Sequence, residues 1–278
     1  MEDYWCTTSL FDGNYARTMI PSHKRFKALL SFRKVVDSAN EDPNDRLRKV
    51  RYLYDHMRDT CNALFKLGQF ISVDERIKSK GRFLLKQYLP KKPVKWGFKV
   101  FVACGAQTSV LFNFDIYTGK DAADDEGLTR AVVHCLTADL AAGQNVVLFT
   151  DNFYTSSTLA KRMLARGIYL TGTLRLNRRG VPEEFKCDGK AFEKRSERGA
   201  TRYIRKNDIL YQKWKDQRCV SMLSTIHRGN DHFMVTRNAK VNGAHRQCIR
   251  QPKCIRNYNQ KMGGVNCFDQ HVAAYRVL

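Results

Sequence analysis

The sequence predicts a mixed α/β fold in which a helical leader precedes a sheet that helices pack against. Two observations carry that expectation. Up to Leu67 apolar residues recur at helical spacing, and from Gly68 they gather into short runs of β-branched and aromatic residues. The first three runs follow one another directly, whereas beyond residue 128 strand-like and helix-like segments alternate, which is the pattern of a mixed sheet.

In the leader, Phe26, Leu29, Leu30 and Phe32 mark one helix, and Leu47, Val50, Leu53, Tyr54 and Met57 mark a second. The polar run from Ser38 to Asp45 favours a turn, and Asp45 is placed to cap the helix that follows. Strands are expected over 69–73, 97–103 and 110–117, then a helix over 128–140 on which His134 is a core histidine. The run Asn145-Val-Val-Leu-Phe-Thr-Asp reads as a buried strand. A helix over 155–166, with Leu159, Met163 and Leu164 on one face, and a strand over 169–174 follow it.

Beyond Asn177 the pattern weakens. Arg178, Arg179, Lys186, Lys190, Lys194 and Arg195 crowd around Gly and Pro breakers before two strands, at 209–214 and 219–226. The organisation expected is a helical segment at 1–67, the first part of the core at 68–176, a basic β-rich insertion at 177–251, and the start of a last helix at 252–278. Gly263-Gly264 opens that helix, which stops at Leu278 without a capping segment.

A chain of 278 residues can bury a sizeable core, and its 43% hydrophobic residues with both charge signs interspersed belong to a folded protein. Lys and Arg outnumber Asp and Glu 49 to 27, a formal charge of +22, so a polyanion is the expected partner. Nucleic acid is favoured over an anionic membrane because the cations are spread over the whole length instead of forming one tract. Neither a membrane partner nor a small-molecule substrate is expected. No stretch approaches the ~20 consecutive apolar residues of a membrane span, and Met1-Glu-Asp-Tyr-Trp is unlike a signal peptide, so an intracellular protein is expected. Nine cysteines, an odd number without close pairs, read as reduced thiols. Cys248, Cys254 and His245 are spaced too loosely for a structural zinc site, and no zinc is expected.

Three acids stand where chemistry could use them. Asp74 ends the first expected strand, Asp151 ends the buried one, and Asp269 lies on the terminal helix. A carboxylate at the end of a buried strand is desolvated, and a bound divalent cation is one compensation for that. Two such ions about 4 Å apart stabilise both the attacking and the leaving oxygen of a phosphoryl transfer. The competing reading is that each is an ordinary loop or helix-capping Asp. Asn152 and Tyr154 either orient Asp151 or serve the turn.

The cations of Lys91-Lys-Pro-Val-Lys-Trp-Gly-Phe-Lys, namely Lys91, Lys92, Lys95 and Lys99, suit a phosphate backbone, while Trp96 and Phe98 read as core residues of the next strand. Arg175, Arg178 and Arg179, with Lys194, Arg195, Arg198 and Arg202, either line a DNA-facing groove or form a solvated basic face.

The segments Gln69-Phe-Ile-Ser-Val-Asp-Glu, Lys80-Gly-Arg and Lys86-Gln-Tyr-Leu-Pro-Lys-Lys-Pro-Val-Lys-Trp-Gly-Phe-Lys together resemble the piggyBac transposase family. Asp151-Asn-Phe-Tyr-Thr-Ser, Thr171-Gly-Thr-Leu-Arg and Met262-Gly-Gly-Val-Asn-Cys-Phe-Asp-Gln extend the likeness in the same order. The resemblance implies an RNase-H-like core interrupted by a β-rich insertion, a nuclear protein acting on double-stranded DNA, cut-and-paste transposition at TTAA targets with two magnesium ions, and a homodimer. It implies catalytic and metal-binding roles for Asp74 and Asp151.

The chain departs from the family at the third acid. Where the pattern resembles Gly-Gly-Val-Asp-x-x-Asp-Gln, this sequence has Asn266 and keeps only Asp269. An Asn offers one neutral oxygen, so weaker metal binding and impaired catalysis are expected, with Asp269 as the alternative third ligand of an active enzyme. The segment after Asp74 is one residue shorter than the family pattern, and the remaining core helices and the zinc module that reads transposon ends are expected to be missing from a truncated core. A non-enzymatic nucleic-acid or chromatin-binding domain is the further alternative.

Overall fold

The computed structural model describes residues 5, 19–20, 22–32, 42–64, 68–78, 86–90, 95–119, 127–140, 145–187, 189–241 and 244–274. The chain divides into two compact units, residues 1–59 with 273–278, and residues 60–272.

The smaller unit carries α1 (His23–Phe32) and most of α2 (Arg51–Leu64). Asp45 does not cap α2 directly; its Oδ1 accepts from the Leu47 N–H at 2.9 Å and so ties the turn that leads into the helix. Both its oxygens also accept from Arg51, at 2.8 Å each, and that fork holds the Asp45 carboxyl down at about 2. Leu47 and Tyr54 are buried, whereas Val50, Leu53 and Met57, which share the helical spacing, are exposed.

Among the described residues of the larger unit, nine strands form one sheet in the order β2-β3-β1-β5-β6-β9-β8-β7, with β4 also pairing β3. The first antiparallel set is β1 (Phe70–Lys78), β2 (Gln87–Tyr88), β3 (Trp96–Gly105) and β4 (Leu111–Ile116). Then β5 (Val147–Thr150) runs parallel to β1, and β6 (Tyr169–Thr173) parallel to β5. β5 is buried at every position, as a central strand covered on both faces must be. Strands β7 (Thr201–Lys206), β8 (Ile209–Lys215) and β9 (Cys219–Ser224) lie in the stretch read as an insertion, and they extend the same sheet through β9 beside β6. A separate hairpin of β10 (His232–Val241) and β11 (Ala244–Pro252) follows.

Side chains alternate across a sheet, so Ile71, Val73, Phe101 and Ala103 point to one face and Ser72, Val102 and Cys104 to the other. On the first face α3 (Leu128–Leu136) and α4 (Ser157–Ala165) supply Val132, Val133, Leu136, Leu159 and Met163 to the main core. His134 is exposed and not a core residue, because the buried face of α3 is set by Val132, Val133 and Leu136. Ser156 caps α4, its Oγ accepting from the Leu159 N–H at 3.2 Å. Two short helices, α5 (Glu183–Lys186) and α6 (Gly189–Arg195), lead into β7.

The opposite face is covered by α7 (Lys253–Lys261) and α8 (Gly264–Ala274). Val265 and Phe268 pack on Val102 and Cys104, while Cys254 and Ile255 join Trp214, Met222 and Ile249. Cys254 is a buried thiol that donates to Gln212 Oε1 at 3.1 Å. No helix among the described residues is long and apolar enough to cross a membrane.

The two neighbouring glycines that open α8 differ in what surrounds them. A Cβ on Gly264 would stand 2.4 Å from Ser72 Oγ and 3.0 Å from the Gly105 carbonyl oxygen, whereas one on Gly263 would meet nothing within 4 Å. Gly264→Ala should therefore lift α8 from β1 and cost about 1–3 kcal/mol in urea denaturation, while Gly263→Ala should stay within about 0.5 kcal/mol of the parent.

Candidate functional site

The site begins with a strand register. β1 and β5 pair in parallel from Phe70 opposite Val147 to Val73 opposite Thr150, so the next residues on the two strands, Asp74 and Asp151, stand level. Neighbouring strands lie about 4.8 Å apart, which puts the backbones of the two residues side by side. Asp74 is not at a strand end: β1 leaves β5 after Val73 but stays paired with β3 to Lys78.

Asp151 ends β5 by turning the chain. Its Oδ1 accepts from the Phe153 N–H at 2.8 Å, and its carbonyl accepts from the Thr155 N–H and Oγ at 3.0 and 2.7 Å. Two arginines hold this turn from outside. Arg175 Nε donates to Asn152 Oδ1 at 2.8 Å, and Arg178 Nη2 donates to the Asn152 carbonyl at 3.2 Å and to that of Phe153. Arg175 and Arg178 thus brace the loop that carries Asp151, and Arg179 is exposed.

Burial pushes the Asp151 carboxyl above the usual carboxylate range; the Phe153 N–H opposes this and the nearby Glu75 charge adds to it. A carboxylate raised in this way gains from a cation placed beside it. The Asp74 carboxylate accepts from the Glu75 N–H at 2.8 Å, and the buried Tyr154 hydroxyl donates to Glu75 Oε2 at 3.1 Å.

Tyr258 of α7 completes the surroundings on the helical face. Burial above all, with the Asp151 and Asp74 charges adding to it, pushes its hydroxyl up to about 12 against a hydrogen bond with the Thr173 side chain. The next residue back, Asn257, meets His227 Nε2 through its Nδ2 at 2.9 Å, and His227 Nδ1 meets Ser224 Oγ at 2.8 Å. These contacts fasten α7 to the sheet at the residue before Tyr258.

The third carboxylate is placed elsewhere. Asp269 Oδ1 lies 2.7 Å from Arg76 Nε, and the Arg76 guanidinium lies over the Phe268 ring at 5.0 Å. The N–H does not point along the short contact, since neither atom has a hydrogen-bond partner, so the pair is an ion pair without an aligned hydrogen bond. Asn266 is exposed in the first turn of α8. Among the described residues no three His, Cys, Asp or Glu side chains are gathered as a metal site. Asp74 and Asp151 fit one divalent ion of the kind that takes one or two carboxylates and leaves its other positions to phosphate and water. They do not fit a second, because Asn266 is neutral and Asp269 is engaged by Arg76.

The sequence-expected cations divide. Lys91 and Lys92, with Lys80-Gly-Arg, lie outside the described residues. Lys95 is exposed, whereas Lys99 is buried with its Nζ over the Phe153 and Phe101 rings at 4.3 and 4.9 Å. Trp96, expected in the core, is 57% exposed and packs on Tyr88 at 4.8 Å. Sequence reasoning missed Glu75, Arg76, His227 and Tyr258; the alternation of Ser72, Asp74 and Arg76 along one strand was the signal available for Arg76.

The mixed sheet, with two acids level on adjacent parallel strands, agrees with the family comparison. Residues 1–278 match the family model described as Transposase IS4, and the chain belongs to that family, in its piggyBac-type branch. It is 28% identical over 261 residues to human PiggyBac transposable element-derived protein 3, covering 91% of this chain and 43% of the relative. Human PiggyBac transposable element-derived protein 2 is 26% identical over 262 residues, with the same coverage of 91% and 43%. The fold matches a chain of the cryo-EM structure of a piggyBac transposase synaptic complex with hairpin DNA, with a TM-score of 0.75 and 23% identity over 95% of this chain and 54% of that one. The chain thus spans less than half the length of these curated relatives.

Burial lowers the His227 imidazole from its ordinary 6.5 to about 4, so it is neutral in the fold. Between those values the unfolded chain binds a proton that the folded chain does not, so this contribution is present above pH 6.5 and is lost as the pH falls toward 4. Urea denaturation should show a loss on the order of 3 kcal/mol from this group across that interval, and His227→Gln should flatten the slope.

Proposed function

We propose that this chain is a DNA-handling transposase relative whose Asp74 and Asp151 hold one divalent metal ion and whose strand cleavage is impaired at Asn266. The observation that carries the reading is the level placement of the two acids, together with the commitment of Asp269 to Arg76. The partner is double-stranded DNA, which a charge of +22 attracts, and the resemblance adds TTAA targets, a homodimer and the nucleus as its setting.

Magnesium bound there would polarise a phosphoryl oxygen and offset the charge that builds up during phosphoryl transfer. The chain's own residues do the positioning. The β1–β5 ladder fixes the spacing of Asp74 and Asp151, Arg175 and Arg178 hold the Asp151 turn, and Tyr154 restrains Glu75. An Asp at 266 would add an anionic oxygen, which the neutral Asn266 side chain does not. For Asp269 to serve instead, it would have to leave Arg76, stranding a guanidinium that is only 10% exposed.

The test uses a labelled duplex and a TTAA hairpin. Duplex affinity should fall steeply with salt, and magnesium-dependent nicking should lie near background for this chain and rise at least tenfold in Asn266→Asp. Full nicking by the parent chain, abolished in Asp74→Ala and unimproved in Asn266→Asp, would overturn the impairment. Absence of duplex binding at low salt would overturn the DNA-handling role itself.

A further inference from the structure

The sheet of the larger unit ends at β7, and among the described residues no strand pairs with its outer edge. The β7–β8 hairpin turns through two residues, Asn207 and Asp208, and its register runs from Lys206 opposite Ile209 to Thr201 opposite Trp214. In such a hairpin the pair that closes the turn shares both ladder bonds, and every second pair after it does the same. Ala200 keeps that phase, its carbonyl accepting from the Lys215 N–H at 2.9 Å. Lys206, Ile204 and Arg202 therefore bond inward to β8, while Thr201, Tyr203 and Arg205 turn their backbone N–H and C=O groups outward. An edge of this kind is a template for one more strand.

Two of those three residues also face a recess. Tyr203 and Arg205 line an open hollow of about 480 Å³ whose other wall is the loop after β9, with Ile226, Arg228 and Asn230. Tyr203 is 47% and Ile226 41% exposed, so the hollow offers an apolar surface that a partner can reach. The loop is braced: Gln212 Nε2 donates to the Gly229 carbonyl at 2.8 Å, and Arg205 Nη2 donates to that of His227 at 2.6 Å. The Tyr203 ring packs so closely on Gly229 that a Cβ there would stand 2.2 Å from it. Arg205 and Arg228 are exposed, and among the described residues neither pairs with a carboxylate. Asp231, the acid that ends the loop, lies 3.9 Å from Lys253.

These features select among partners. A peptide backbone repeats its donors and acceptors every second residue, about 6.8 Å, as β7 presents them, and a nucleic-acid strand has no such repeat. A second copy of this chain would bring the Arg202, Arg205 and Lys206 cations of both edges together, which is how charged edge residues block self-pairing. An acidic strand meets the same cations with opposite charge. We propose that β7 is a docking edge for an extended acidic segment of a partner protein. The segment adds as a strand on Thr201, Tyr203 and Arg205, with an apolar side chain on Tyr203 and Ile226 and carboxylates on Arg205 and Arg228. The inference does not rest on the DNA-handling reading; it adds a protein partner to it.

The test uses the whole chain and a fluorescein-labelled twelve-residue peptide repeating Glu-Glu-Val-Val, which when extended alternates acids and apolar side chains along each face. Arg228→Glu, at an exposed position, should weaken binding at least tenfold, and Lys161→Ala on the exposed side of α4 should stay within twofold. A peptide with proline in place of each valine keeps the charge but loses backbone donors, and should bind at least tenfold more weakly. Hydrogen exchange followed by NMR should show the Thr201, Tyr203 and Arg205 amides slowed by the peptide. Equal affinity for the proline peptide, or protection confined to other segments, overturns strand addition. Failure of the peptide to bind, or unchanged affinity in Arg228→Glu, overturns the docking site, while duplex binding leaves the DNA-handling role standing. A twelve-nucleotide DNA that slows the same three amides and loses tenfold in Arg228→Glu overturns the assignment to a protein partner.

Discussion

In a parallel ladder, residues of neighbouring strands stand level, and between β1 and β5 that level runs from Phe70 and Val147 to Val73 and Thr150. Everything at the site follows from what comes next on each strand. β1 continues with β3 and keeps Asp74 on a rigid, paired backbone, while β5 stops, so Asp151 can turn its carbonyl and Oδ1 into the loop that follows. Two acids from distant parts of the chain are thereby set at one strand spacing, and burial holds the Asp151 carboxyl above the usual carboxylate range. Like charges so placed destabilise the fold unless a cation or a proton relieves them, which is the usual compromise between a binding site and stability.

The opposite pressure is supplied by α8. Gly264 lets the helix approach Ser72 closely, Phe268 packs under the Arg76 guanidinium, and Arg76 meets Asp269. Ser72, Asp74 and Arg76 share one face of β1, so a single strand carries a contact for the helix, an acid for the site and the cation that neutralises Asp269. The pairing stabilises the docked helix, and it also withdraws from the site the one acid that α8 still carries near Asn266. α7 is held by a different device, the neutral His227 between Ser224 and Asn257, at the residue before Tyr258.

Much of the core was legible in the chain because its signals are local. The continuous apolar run before Asp151 could only be a covered strand, the Ser156 cap and the Leu159 and Met163 face made α4 plain, and the change of period at Gly68 marked where the sheet begins. The level pairing of Asp74 with Asp151 was not local, since register between distant strands depends on the packing of the whole sheet. Lys99 read as a surface cation because sequence does not reveal that Phe101 and Phe153 roof it over. Trp96 erred in the other direction, an aromatic at a strand start that the sheet leaves exposed. Tyr258 carried no pattern of its own: in Lys-Cys-Ile-Arg-Asn-Tyr-Asn it sits among polar residues whose partners are fixed only once α7 lies on β6 and β9.

The central claim is that Asp74 and Asp151 form one metal-binding pair without help from Asp269. A titration of the full chain with Mn²⁺, followed by the loss of the free-ion signal in electron paramagnetic resonance, tests it most directly. The account predicts one ion per chain, at least tenfold weaker in Asp74→Ala and in Asp151→Ala and unchanged in Asp269→Ala. Binding that survives both of the first substitutions, or that disappears with Asp269, would contradict it.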